Sequence, residues 1–102
     1  MSSEDTLRTL TELSEVMLSK ARAGDWDALP ELEQQRSALI QQCFPLQDIG
    51  DIEAARLALQ GLLQANDELV RLAGEARSAL ASELGQLRSA SSAIKSYQAH
   101  EG

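Results

Sequence analysis

Few residues in this chain have the chemistry to act on a substrate or hold a metal, and none of them stands in a working set. Cys43 is the only cysteine and His100 the only histidine. A thiol nucleophile needs a base within reach, and no arrangement visible in the sequence brings a histidine to Cys43, so it reads as a small core residue. His100 lies beside the C-terminus with no second His or Cys at ligand spacing. The carboxylates Asp25, Asp27, Glu31 and Glu33 cluster in one short stretch. Their plain reading is compensation of a helix N-terminus plus a solvated face. Glycines occur singly, so no loop is built to cradle a phosphate. No catalytic, cofactor-binding or metal residue is assigned, no cofactor is expected, and the chain reads as a binding protein rather than an enzyme.

The composition fits that reading. The 102 residues suit one domain, 1–102, with a modest core. The chain is 43% hydrophobic and 25% charged but only 3% aromatic: Trp26, Phe44 and Tyr97. A core of Leu and Ala with few β-branched residues favours helices over strands. The formal net charge of −7 repels nucleic-acid phosphates and anionic lipid, so neither is an expected partner. The single cysteine fits a reducing compartment. Apolar runs are too short for membrane insertion, and the start Ser2-Ser3-Glu4-Asp5 lacks the basic and apolar regions of a signal peptide. The expectation is cytoplasmic residence.

What remains is helical patterning. Ser3 with Glu4 and Asp5 starts helix 1, which carries Leu7, Leu10, Ser14, Met17 and Ala21 on one face and stops at Gly24; its expected span is 3–23. Helix 2 is expected over 26–43, capped by Asp25 or Asp27 and ended by Pro45. Pro30, tolerated in a first turn, favours Asp27. Trp26 then sits at the corner, as a staple across the helix 1–helix 2 turn in preference to an exposed anchor. The third segment steps by three and four through Ile52, Ala55, Leu59, Leu62, Asn66, Leu69, Ala73, Ala76 and Leu80. It slips once to Leu84, Leu87, Ser91 and Ile94. Helix 3 is expected over 51–88. The Ser89-Ala90-Ser91-Ser92 cluster is the expected hinge, followed by a short fourth helix over 93–98. The fold class is thus all-α: an antiparallel bundle in which a helix 1–helix 2 hairpin packs on a long third helix. The hairpin is too short to cover all of helix 3. Its surplus apolar stripe must meet helix 4, a second copy of the chain, or a client. Asn66, a polar residue on the stripe, either fixes register or is tolerated at a wet edge.

Gly24-Asp25-Trp26-Asp27-Ala28-Leu29 is preceded by Leu18-x-x-Ala21-Arg22 and followed by Glu33-x-x-Arg36; Asn66-Asp67-Glu68-Leu69 and a segment ending in Tyr97 complete the order. This layout resembles the FliT-type flagellar export chaperones over nearly the whole chain. The resemblance implies a cytoplasmic helical bundle that binds the C-terminal helical region of the filament-cap protein and holds it unassembled until export. It also implies docking on the export apparatus, including its ATPase and export gate, and in some members binding of a flagellar transcriptional regulator. This chain ends soon after Tyr97, so a masking C-terminal helix would be minimal.

The expected client-binding residues are Leu69, Leu72, Ala76, Leu80, Leu84, Ile94 and Tyr97, on the stripe that the hairpin cannot reach. Ile94 and Tyr97 share a face, and their segment is expected to fold back weakly over part of that groove; the alternative is that helix 3 runs on straight and leaves Tyr97 available to a partner. The alternative is a homodimeric coiled-coil structural or regulatory module with no export client.

Overall fold

The computed structural model describes residues 2–101, with side chains through Gln98. Three helices account for almost all of it: α1 Ser3–Arg22, α2 Leu29–Cys43 and α3 Ile52–Glu101. The chain divides into two compact units, the first ending at Leu72 and the second beginning at Ala73.

α1 begins at Ser3 as expected, but its capping residue is one position earlier than expected. Ser2, not Ser3, is the cap: its Oγ accepts from the Asp5 N–H at 3.2 Å. Ser3 is released for a tertiary role and is buried. The other end of α1 is a Schellman stop. Gly24 adopts φ 76°, its N–H donates to the Ala21 carbonyl at 3.1 Å, and the Asp25 N–H donates to the Lys20 carbonyl at 2.9 Å. Those bonds satisfy carbonyls that a helix end otherwise leaves open.

Helix 2 departs further from expectation. Trp26–Ala28 winds as a single 3₁₀ turn and α2 begins only at Leu29, with Pro30 in its first turn. Neither Asp25 nor Asp27 makes a side-chain cap. For Asp27 the 3₁₀ turn explains this, because the Leu29 N–H is already taken by the Trp26 carbonyl and Pro30 has no N–H to offer. After Cys43 the chain crosses in a short loop in which Asp48 holds φ 55°. It enters α3 with Asp51 Oδ1 accepting from the Ala54 N–H at 3.0 Å.

In the first unit, α1 and the 52–72 part of α3 run in the same direction, with α2 antiparallel to both. Two clusters show the pairing. Leu7, Leu10, Cys43 and Ala55 are buried together, with Leu39, Leu46, Ile49, Leu59 and Leu62 packed around them. Met17, Leu18, Ala21 and Leu69 are buried together toward the other end, flanked by Leu13, Trp26, Leu29, Leu32, Ala65 and Leu72. Each fully buried Leu contributes about 2 kcal/mol of transfer free energy, so these clusters are the main source of cohesion. The polar groups inside are satisfied: Thr6, buried, donates from Oγ1 to the Ser2 carbonyl at 3.0 Å.

The expected hinge and fourth helix are not present. α3 passes through Ser89–Ser92 and continues to Glu101 without a break. Each serine costs only about 0.5 kcal/mol relative to Ala in a helix, and no proline or left-handed residue enforces a stop there. The expected fold-back of 93–98 is absent as well: Ile94 is 58% and Tyr97 68% exposed.

Candidate functional site

Cys43 is fully buried, its Sγ 4.0 Å from the Ser3 carbonyl, and burial pushes its thiol pKa up. A thiol held in the neutral form among apolar side chains is a packing group. Among the described residues no three His, Cys, Asp or Glu side chains are grouped to hold a metal. The acidic stretch is engaged locally, with Lys20 3.8 Å from Asp25 and Arg36 3.3 Å from Glu33. The side chain of His100 lies outside the described residues.

Trp26 follows the Gly24 stop and opens the 3₁₀ turn that leads into α2. Trp26 is half-buried against the Met17–Leu18–Ala21–Leu69 cluster. Beside it Arg22 ties α1 to α3, with Nη2 at 2.6 Å and Nε at 3.1 Å from one Glu68 oxygen. Asn66 faces α2 and is not idle: its Oδ1 accepts from Arg36 Nη1 at 3.3 Å. The stripe asparagine and the stripe arginine thus satisfy each other across two helices.

The same pair closes one end of a feature that the stripe analysis did not identify. A groove of about 480 Å³ lies between α2 and α3, lined by Leu10, Ile40, Phe44, Leu59, Leu62 and Leu63 with Arg36, Asn66 and Ser14. Its rim is apolar and open: Ile40 is 42%, Phe44 46% and Leu63 66% exposed. The groove spans Arg36 to Phe44 on α2 and Leu59 to Asn66 on α3, about 10–12 Å, or two turns of a helix. The signal for it was in the chain. Leu63 and Val70, seven residues apart on α3, lie beside the core stripe, and both are well exposed. One neighbouring helix does not require so wide an apolar surface.

The expected client residues separate into two groups. Leu69 is buried at 8% exposure and Leu72 is half-buried against the same cluster. Leu69 is therefore a core residue, unavailable to a partner, because α1 reaches that far along α3. In the second unit, Ala76 is half-buried, and Leu80, Leu84, Ile94 and Tyr97 are exposed, as is Leu87 between them. No helix among the described residues is long and apolar enough to cross a membrane, so this stripe is not a bilayer span.

No curated protein and no solved structure matches the chain significantly. The family model described as flagellar protein FliT matches residues 4–99, which takes in all three helices and both apolar surfaces. With that match nearly end to end, the chain belongs to the FliT family of flagellar export chaperones.

Proposed function

We propose that this chain works in the cytoplasm as a non-enzymatic chaperone for the filament-cap protein, binding its C-terminal helical region until export. The observation that carries the reading is the α2–α3 groove: concave, apolar, and sized for two turns of an amphipathic helix. Client apolar residues spaced i, i+3/i+4 and i+7 would seat on Leu59, Leu63, Ile40 and Phe44. Arg36 has N–H groups beyond those given to Glu33 and Asn66, which suits a polar or acidic client residue at that end. Family resemblance extends the reading to contacts with the export ATPase and export gate and with a flagellar transcriptional regulator.

A second reading places the client on the second unit, along Ala76, Leu80, Leu84, Ile94 and Tyr97, and rests on the exposure of that stripe. Titration of a cap-protein C-terminal peptide onto Leu63→Asp and Leu84→Asp proteins separates the two. Loss of binding in Leu63→Asp alone supports the groove; loss in Leu84→Asp alone moves the site to the stripe. Wild-type affinity in both variants overturns both.

A further inference from the structure

Arg36 stands on the apolar stripe of α2, where packing alone would favour another Leu. It meets Ser14 of α1 and Asn66 of α3 at one end of the groove, one polar side chain from each helix. This polar layer falls between the two buried clusters, the one around Leu7 and Leu10 and the one around Met17 and Leu18. Its members are short of partners. Thr6, Thr9 and Thr11 each donate to the carbonyl four residues back, but the Ser14 hydroxyl, on a residue 5% exposed, makes no hydrogen bond among the described residues. Asn66 accepts through Oδ1, and its amide N–H groups donate to no described residue. The Arg36 side chain is 18% exposed and donates to Asn66 and to Glu33, both at 3.3 Å. A committed charge-assisted bond is shorter, as that from Arg22 to Glu68 is at 2.6 Å.

We propose that Arg36 and Asn66 read one side-chain carboxylate on the client helix, and that this contact fixes the register of the helix in the groove. The proposal rests on the groove reading given above. What the layer leaves open is a set of donors: N–H groups of Arg36, the amide of Asn66 and the hydroxyl of Ser14. Donors take an acceptor, and the fork of a guanidinium takes a carboxylate through two parallel bonds. A client Lys or Arg at this point would face Arg36 as a like charge. An apolar residue would strip water from the guanidinium and put nothing in its place. Ser14 also borders a shallow hollow between α1 and α3, so the carboxylate is assigned to Arg36 and Asn66. The spacing follows from the antiparallel run of α2 and α3. From the Arg36–Asn66 contact, the register carries Ile40 to Leu62 and Leu63, and Phe44 to Leu59. A seated helix then has its Asp or Glu about one turn from the apolar residue over Ile40 and Leu63, and about two turns from the one over Phe44 and Leu59.

The test is titration of the full chain with the C-terminal peptide of the filament-cap protein. A set of peptides, each with one Asp or Glu changed to Asn or Gln, completes a double-mutant cycle. Arg36→Met keeps the stem and removes the fork, and it should weaken the unmodified peptide by about 10- to 100-fold. One peptide position, spaced as above, should weaken binding to wild type by as much and cost nothing further against Arg36→Met. Arg36→Lys should recover only part of the loss, since it restores the charge without the fork. The cycle compares peptides on the same variant, so any change in that variant's own stability cancels. Wild-type affinity in Arg36→Met, together with lost binding in Leu63→Asp, would overturn the carboxylate key and leave the groove standing. Wild-type affinity in Leu63→Asp would remove the groove and the key together. If every neutralised peptide adds its full loss to that of Arg36→Met, no client carboxylate meets Arg36 and the proposal fails.

Discussion

Glu4 reaches across to the far end of the first unit's crossing loop: its Oε1 accepts the Gly50 N–H at 2.6 Å and the Asp51 N–H at 3.2 Å. A carboxylate in the first turn of α1 therefore also holds the approach to α3, and this fixes the two helices side by side at their N-termini. Glu4→Ala should cost about 1 kcal/mol, the net value of exposed charge-assisted hydrogen bonds. Urea unfolding should show the loss as a lower midpoint with an unchanged slope.

The glycines divide by conformation rather than by space. A Cβ would meet nothing within 4 Å at either Gly24 or Gly61, but only Gly24 is left-handed. Gly24→Ala should destabilise by about 1–2 kcal/mol. Gly61→Ala, in a helix interior, should stabilise by about 0.5–1 kcal/mol. Opposite shifts in melting temperature check the pair.

Leu10 and Leu84 separate cohesion from interaction. Leu10 is 1% exposed at the centre of its cluster, and Leu10→Ala should cost about 2–5 kcal/mol. Leu84 is 44% exposed, and Leu84→Ala should leave first-unit stability within about 0.5 kcal/mol of wild type. Urea denaturation reads both.

Trp26 is half-buried, so truncation should cost less than at a sealed site. Trp26→Ala should remove about 2 kcal/mol, and the native indole should emit between the buried and fully solvated limits. A fully solvated emission with an unchanged melting temperature would remove Trp26 from the corner.

Cys43 should react with a thiol reagent only as fast as the first unit opens, so its labelling rate should follow the unfolded fraction. Its pKa is raised in the native state, so that state keeps its proton to higher pH than the unfolded chain. The stability this gives is present below the ordinary thiol pKa of about 8.5 and is lost as pH rises through the raised native value. Cys43→Ser should flatten that alkaline loss.

The sequence by itself determined α1, α2 and the first part of α3, because spacings of three and four put Leu7, Leu10, Met17 and Ala21, or Ala55, Leu62 and Leu69, on faces that water excludes; the unbroken run of α3 through Ser89–Ser92 was not read from it. It determined the stop at Gly24, where only a residue without Cβ takes the left-handed turn cheaply. Its motif order also pointed to the chaperone family before any contact was known. Other features were decided only by tertiary structure. Which serine caps α1 depends on Ser3 being drawn to the end of α2, where its Oγ donates to the Cys43 carbonyl at 3.4 Å and accepts from the Gln47 N–H at 3.0 Å. The burial of Leu69 depends on α1 reaching that far along α3, which no periodicity within α3 encodes. The groove exists because Ile40 and Phe44 of α2 come to face Leu59 and Leu63 of α3. Local patterning shows that each face is apolar; only the packing of the helices shows which faces remain open.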